Sequence, residues 1–192
     1  AVIIPLFGSL VVMTLKNHPN LREFVSSAAS ILLFCIVLSF IPAIREGRTL
    51  VYQMFQLLPG LSITLRADGF SMIFAMVASS LWTIAVFYSM GYMRGLKEHA
   101  QTRFNACFAL AIFGAIGVAL SDNLFTMYLF YEIVSVCTYP LVAHHQDEQG
   151  YEGGKKYVVY LTTTAKLFLL PAMILIYVLA GTLDFPHNIS TG

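Results

Sequence analysis

Long apolar runs are the feature that most constrains this chain. Five of them reach or approach the length of about 20 residues that a helix needs to cross a bilayer. These are Phe24–Ile44, Gly69–Met93, Arg103–Leu120, Leu124–Ala143 and Tyr157–Gly181. A sixth run, Ala1–Leu15, is shorter, and we interpret it as a span whose beginning is missing. The sequence therefore predicts an all-α bundle of six transmembrane helices, the first one truncated.

The composition agrees with a membrane protein and excludes other classes. Of the 192 residues, 58% are hydrophobic and 11% are charged, whereas soluble domains have about 45–50% apolar and about 25% charged residues. Disorder is excluded because it needs low hydrophobicity and high charge. The net charge is +1 and no long basic run occurs, so nucleic acid is not expected as a partner. The lipid bilayer is the first partner that the sequence predicts.

The cysteines do not indicate a metal or redox site. Cys35, Cys107 and Cys137 each lie in a separate apolar run, without the short spacing of such sites. We also find no motif for a flavin, an iron–sulfur cluster or a quinone. The sequence therefore predicts no cofactor and no metal, and it contains no pattern of catalytic residues.

The distribution of lysine and arginine predicts the orientation. Seven of these residues fall on the side opposite the amino terminus: Lys16, Arg22, Arg94, Lys97, Arg103, Lys155 and Lys156. Three fall on the side of the amino terminus: Arg45, Arg48 and Arg66. The positive-inside rule then predicts a multi-pass protein of the inner (cell) membrane, with both ends of this segment on the outer face.

The longest connection, Arg45–Asp68, predicts a short hairpin on the outer face. Its second half, Leu61–Leu65, alternates apolar and polar residues, and Pro59-Gly60 marks a turn before it. Asp68 precedes Gly69 and is expected to cap the third helix.

Two ionisable residues fall inside the predicted spans, where a charge is costly and usually functional. Glu132 lies about 12 Å and Lys166 about 13–14 Å from the nearest boundary at 1.5 Å per residue. Both therefore lie near the midplane of a core about 30 Å thick. Their helices are consecutive and antiparallel, so a Glu132–Lys166 ion pair, direct or through water, is a reasonable hypothesis. A structural pair that only joins the two helices is the alternative.

Polar and kinking residues surround these two charges. Tyr128, Ser135 and Tyr139 share one helical face with Glu132. Thr163 precedes Lys166, and Pro140 and Pro171 each leave a backbone carbonyl without its usual donor. Hydroxyls and free carbonyls are groups that hold water inside a membrane protein, and a proton path needs such groups.

The predicted loop from His144 to Lys156 on the inner side is dense in titratable groups. We interpret His144 and His145 as candidates for a proton entry site, since histidine titrates near neutral pH. A plain solvated loop is the alternative. Adjacent histidines point in different directions, so the two together do not indicate a metal site. Lys156, at the predicted start of the sixth helix, is the best candidate here for a working residue.

Three stretches in this order resemble a known family: Leu65–Ser71, Asn123–Glu132 and Thr138–Val142. With their Asp-Gly-Phe-Ser and Phe-Tyr-Glu motifs, the chain resembles the antiporter-like, proton-conducting membrane subunits. These occur in respiratory complex I (NADH–quinone oxidoreductase), in Mrp-type multisubunit cation/proton antiporters and in membrane-bound hydrogenases. The continuation, Tyr139–His145 and Leu170–Phe185, looks closest to the D-type member of the Mrp branch.

The resemblance implies an organisation and a set of roles. Family members have three leading helices followed by two inverted five-helix repeats. Residues 1–192 would then form a single transmembrane domain, with the leading helices in 1–93 and the first three helices of an incomplete repeat in 94–192. Glu132 matches the essential glutamate of the family, and Lys156 matches a lysine often found at the start of the sixth helix. The family's glutamate pairs with a lysine on a later, broken helix. At Lys166 the family would have an uncharged residue.

We therefore predict part of a proton-translocating or cation/proton-translocating subunit that works through Glu132. Its expected partners are other membrane subunits and protons, with Na⁺ as an alternative coupling ion. The driving force would come either from redox chemistry in neighbouring subunits of an oxidoreductase complex or from a counter-ion gradient. The alternatives are a structural membrane subunit and a polytopic membrane enzyme, and the latter is disfavoured because only one acid lies at the midplane.

Overall fold

The structure, a computed structural model, describes residues 1–58 and 61–186. Two helices come first: α1 (Ile3–Thr14) and α2 (Pro19–Arg45). Two strands follow, β1 (Leu50–Leu58) and β2 (Leu61–Ala67). The remaining elements are α3 (Gly69–Gly95), α4 (Gln101–Ala119), α5 (Leu124–Val142), α6 (Glu148–Thr164), a π-helical turn (Ala165–Leu169) and α7 (Leu170–Ala180). The predicted all-α bundle with one hairpin is confirmed.

Five helical segments within the described ranges are long and apolar enough to cross a membrane. They are α2, α3, α4, α5 and the continuous segment Glu148–Ala180, which joins α6, the π-helical turn and α7. The apolar helix α1 has 12 residues and is shorter than these. Large apolar side chains face outward, with Val178 and Leu179 73% and 77% exposed. Such an exterior suits lipid or neighbouring membrane helices rather than water.

The last span begins earlier than its apolar run, which starts at Tyr157. Helix α6 begins at Glu148 because Asp147 caps it, accepting a hydrogen bond from the backbone N–H of Gly150 at 2.6 Å. The predicted loop His144–Lys156 is therefore wrong from Glu148 onward. Hydropathy detects lipid exposure, whereas a capped helix extends beyond the bilayer into polar sequence.

The hairpin is confirmed as an antiparallel pair, with Leu50 opposite Ala67 and Tyr52 opposite Leu65. The predicted turn, Pro59-Gly60, lies outside the described residues. The predicted cap of α3 is also confirmed. The Asp68 carboxylate accepts from the backbone N–H of Ser71 at 2.8 Å, and the Ser71 hydroxyl accepts from the N–H of Asp68 at 2.8 Å. This reciprocal capping box fixes the angle at which the chain leaves the hairpin.

The hairpin is bound to the turn between α4 and α5. The Arg66 guanidinium donates to the Asp122 carboxylate at 2.6 Å, and the backbone N–H of Arg66 donates to the carbonyl of Leu120 at 2.7 Å. Asn123 caps α5 through its side-chain oxygen and donates to the carbonyl of Ser62 at 2.8 Å. These contacts tie the start of α5 to the hairpin.

Helix α4 lies close against α5 because small residues line their contact. A Cβ atom added at Gly117 would lie 2.1 Å from the Phe130 ring, and one at Gly114 would lie 2.6 Å from Val134. Only glycine therefore fits at these two points of α4. Close approach through small residues is the usual way for membrane helices to gain packing energy.

We expect Gly117→Ala to destabilise the folded subunit by about 1–3 kcal/mol, the usual cost of overpacking. The reason is the clash with Phe130, a buried ring that packs edge-on against Phe113. Thermal unfolding of the purified full-length subunit in detergent measures the effect. The matched control is Gly91→Ala on α3, where an added Cβ meets nothing within 4 Å. Equal unfolding temperatures for the two variants would contradict the packing argument.

Candidate functional site

Glu132 lies in the interior of α5, two turns after the Asn123 cap. Its Oε1 atom is buried and has no hydrogen-bond partner within the described residues. A carboxylate oxygen removed from water without a partner is costly, and such groups take up a proton or a cationic partner instead. Among the acids of the described residues, Glu132 has a buried carboxylate oxygen that is left without a hydrogen-bond partner.

The face of α5 that carries Glu132 is polar along its length. One turn earlier, the Tyr128 side chain interacts with the Glu132 carboxylate. One turn later, Ser135 is buried, and its hydroxyl donates to the carbonyl of Tyr131 at 3.0 Å. The sequence-predicted set Tyr128, Glu132 and Ser135 is thus brought together, as the helical spacing requires.

Helix α5 continues through Pro140 to Val142. Just before the proline, the Thr138 hydroxyl lies 2.7 Å from the carbonyl of Val134 and 2.6 Å from the hydroxyl of Tyr157 on α6. The Thr138 hydroxyl thus hydrogen-bonds a backbone carbonyl close to Pro140, which has no N–H to donate. The Thr138–Tyr157 contact joins the two helices through hydroxyl groups, which can both donate and accept.

A groove between α5 and α6 leads along this polar face. Its lining residues include Ser135 and Tyr139 on α5 and Tyr151, Lys155 and Thr162 on α6. Thr138, Tyr157 and Lys155 were not predicted as site residues from the sequence, although Lys155 entered the charge count. Once α6 is known to start at Glu148, spacing identifies Lys155, because Tyr151, Lys155 and Thr162 share one helical face.

Lys156 and Lys166 lie outside this groove lining. The side chain of Lys156 is exposed and lies 3.9 Å from Glu152, its neighbour one turn earlier on α6. Lys166 is exposed and lies in the π-helical turn, and Thr163 just before it is also exposed. Glu132 and Lys166, both described, do not form a direct ion pair in this structure.

The π-helical turn stands directly before Pro171. The backbone N–H of Leu170 donates to the carbonyl of Ala165, five residues earlier, in place of the usual four. This wider turn accommodates the segment in which the proline cannot donate. Single π turns inside α-helices are frequent at functional sites.

His144 and His145 belong to a different region, beyond the end of α5. From Glu132 to Val142 the helix rises about 15 Å. His144 is buried, and its ring stacks on His99 with ring centroids 5.1 Å apart. Burial lowers the pKa of the His144 imidazole, and His99 and Arg103 act in the same direction. His145 is exposed.

Comparison with family models gives two matches. Residues 121–191 match the transmembrane family of NADH:quinone oxidoreductase and Mrp antiporters. Residues 59–105 match the amino-terminal family of complex I chain 5. The first match contains α5, Glu132 and the whole of α6, and the second contains β2 and α3.

Among curated relatives, a Na⁺/H⁺ antiporter subunit A1 of Staphylococcus aureus is 31% identical over 182 residues, which is 92% of this chain and 22% of the relative. The subunit A1 of Staphylococcus haemolyticus is 31% identical over 196 residues, 99% of this chain and 24% of the relative. The chain thus spans about a quarter of these relatives. Both are of the A type, whereas the motifs favoured the D type, so the relatives support the family rather than that finer assignment.

Two solved structures share the fold. The archaeal membrane-bound sulfane sulfur reductase, a respiratory membrane complex, matches with a TM-score of 0.84, at 21% identity over 95% of this chain and 37% of that one. The Mrp complex of a Dietzia species matches with a TM-score of 0.81, at 22% identity over 95% of this chain and 34% of that one. The two family matches, which include β2 and the Glu132 helix, and the curated relatives together show that the chain belongs to the antiporter-like family of membrane subunits shared by complex I and Mrp antiporters.

Proposed function

We propose that this chain carries part of the ion path of a cation/proton antiporter-type membrane subunit, with Glu132 as the group that loads and releases a proton. The observation that carries the proposal is the buried, unpartnered Oε1 of Glu132 inside a membrane-spanning helix. An acid inside a membrane-spanning helix with one carboxylate oxygen left unpartnered suits a group that changes its protonation state.

The charge state of Glu132 would respond to the position of a cation. Burial favours the protonated acid, and a nearby positive charge favours the carboxylate. Moving a lysine towards Glu132 would therefore release a proton, and moving it away would load one. A permanent ion pair would prevent this exchange, so the absence of a direct pair between Glu132 and Lys166 in the described structure suits the proposal.

The α5–α6 groove supports a route for protons from one end of the bundle. Lys155 and Tyr151 line it towards the start of α6, and Ser135 lines it near Glu132. Protons move between hydrogen-bonded waters and hydroxyls, and the groove supplies hydroxyl groups at Tyr139 and Thr162. Exposed His145 is better placed than buried His144 to exchange protons with water at this end.

Lys166 enters the proposal as a second charge whose position can change. It lies in the π-helical turn before Pro171, where the helix has an irregular hydrogen-bond pattern. By resemblance, the family's cationic partner of the glutamate lies on a later helix. Lys166 would then act as a relay beside that partner rather than in place of it.

The partners that we propose are other membrane subunits of a multisubunit complex, with protons and Na⁺ as the coupling ions. The relatives named above are subunits of Na⁺/H⁺ antiporters. One of the structural neighbours is an Mrp complex and the other a respiratory membrane complex.

We expect Glu132→Gln in the full-length subunit to lower cation/proton exchange at least about tenfold. A positioned proton-transfer group contributes about 10²–10⁴-fold to rate, and glutamine has the same shape but cannot titrate. The measurement is the pH change inside vesicles that contain the assembled complex, followed with a fluorescent pH indicator after cation addition.

The matched control for this experiment is Glu152→Gln, an exposed acid on α6 that is expected to leave the exchange unchanged. Normal exchange in Glu132→Gln would sink the proposal. Loss of complex assembly in Glu132→Gln, measured by co-purification of the other subunits, would instead favour the purely structural role.

The two adjacent lysines of α6 allow a second test. We expect Lys155→Ala to slow exchange several-fold more than Lys156→Ala, because Lys155 lines the groove and Lys156 is exposed beside Glu152. The same vesicle assay measures both rates. The reverse order would identify Lys156 as the working residue, as the resemblance implies.

Lys166 can be tested by keeping or removing its charge. We expect Lys166→Ala to reduce exchange and Lys166→Arg to retain most of it, since only the first removes the positive charge. Rates are measured at several pH values, because a relay charge affects the pH dependence of exchange. Identical pH profiles for Lys166→Ala and the unmodified protein would exclude the relay role.

A further inference from the structure

Three side chains with metal-binding atoms converge at the end of the bundle opposite the hairpin. Glu98 and His99 come from the connection between α3 and α4, and His144 comes from the chain just after α5. One ligand atom from each lies within 4.8 Å of the others. The Glu98 Oε2 atom lies 3.6 Å from Nδ1 of His99 and 3.8 Å from Nε2 of His144.

The hydrogen bonding of His99 places a lone pair towards this centre. Its Nε2 lies 3.1 Å from the carbonyl oxygen of His144. A carbonyl only accepts, so Nε2 carries the proton, and in the neutral ring Nδ1 then presents its lone pair. That lone pair faces the Glu98 carboxylate, which is also an acceptor. Two acceptors 3.6 Å apart repel each other, so a cation or a proton between them would be favourable.

The His144 ring supplies a second, independent sign of a ligand. The residue is only 8% exposed, and neither ring nitrogen has a hydrogen-bond partner within the described parts of the chain. A buried polar group without a partner is costly, and the explanation is often an ion or water that binds it. The ring is also fixed in place, edge-on to Phe104 and stacked on His99.

We propose that Glu98, His99 and His144 bind a divalent transition-metal ion, with Zn²⁺ as the best match. Two imidazoles, one carboxylate and a water molecule form a common tetrahedral zinc environment. With bonds of about 2.0–2.2 Å, ligand atoms in such a site lie about 3.3 Å apart. The two separations from Glu98, 3.6 and 3.8 Å, are near that spacing, and all three ligand atoms lie within 4.8 Å of one another. The His99 hydrogen bond to a backbone carbonyl is the usual outer support of a zinc-bound histidine.

The surrounding charges fit a cation. Glu98 supplies the negative charge, and its side chain is largely buried. The nearby cation, Arg103, donates to the carbonyl oxygen of His144 at 2.8 Å, so its guanidinium is bound to the backbone. Glu98 and His99 lie between Lys97 and Ala100, two residues with left-handed backbone conformations (φ +52° and +51°).

A bound ion would connect two parts of the chain that are about 45 residues apart in sequence. It would link the α3–α4 connection to the end of α5, at the end of the bundle opposite the hairpin. This inference is independent of the proposed ion path, because it concerns residues that path does not need. The adjacent pair His144-His145 gives no such site, and the fold instead pairs His144 with His99.

The test is isothermal titration of Zn²⁺ into the metal-free full-length subunit purified in detergent. We expect one Zn²⁺ site that weakens at least about tenfold in His99→Ala and in Glu98→Gln, since each variant removes one ligand. Both residues retain some solvent exposure, so these variants avoid the risk of truncating buried His144. The matched control is His145→Ala, which changes the adjacent histidine and should bind Zn²⁺ like the unmodified protein.

A second measurement keeps the test independent of folding defects. Co²⁺ in a tetrahedral nitrogen and oxygen site absorbs visible light strongly, so the unmodified subunit and His145→Ala should show this absorption, and His99→Ala should lose it. Unchanged Zn²⁺ affinity in both ligand variants would overturn the proposal. Absence of any Zn²⁺ binding to the unmodified subunit would also overturn it, and a protonated His99 paired with Glu98 would then explain the geometry.

Discussion

The close contact between α4 and α5 determines where the chemistry of this segment lies. Phe130 and Val134 pack against the glycines of α4. In a helix of 3.6 residues per turn, Glu132 lies about 180° around from the middle of that contact. Because Phe130 and Val134 of α5 pack against α4, Glu132 lies on the side of α5 that faces away from α4. A larger residue at Gly114 or Gly117 would change the rotation or distance of α5 and, with it, the direction of the carboxylate.

Much of the fold could be predicted because membrane helices and caps leave local signals. The hairpin, the Asp68 cap and the bundle of apolar helices follow from periodicity and turn residues within short windows. The start of α6 could not be predicted from hydropathy, because Glu148–Lys156 is polar although it is helical. That error also affected the site. Without the phase of α6, the sequence does not distinguish Lys155 from Lys156, and the packing of α6 on α5 shows that Lys155 lines the groove.

The site could be predicted in part for the same reason. Glu132 is visible because a charge inside an apolar run is rare and its depth follows from the helical rise. The Glu98–His99–His144 cluster is invisible in the sequence, because its members come from two connections brought together by helix packing. The direction of the Glu132 side chain also depends on packing with α4. Long-range contacts of this kind decide side-chain direction, and no local pattern encodes them.

The two ends of the bundle differ in a way that bears on the proposed ion path. At the hairpin end the polar groups bind one another: Arg66 binds Asp122, Asn123 binds Ser62, and the Thr126 hydroxyl accepts from the N–H of Thr64 at 3.1 Å. Groups already paired in this way have little capacity to hold a chain of water. At the other end the α5–α6 groove presents Tyr139 and Lys155, with Ser135 nearer to Glu132. In the proposed path, this segment therefore supplies the half-route between Glu132 and the end of the bundle opposite the hairpin. In that path, release towards the hairpin end would need groups other than these paired ones.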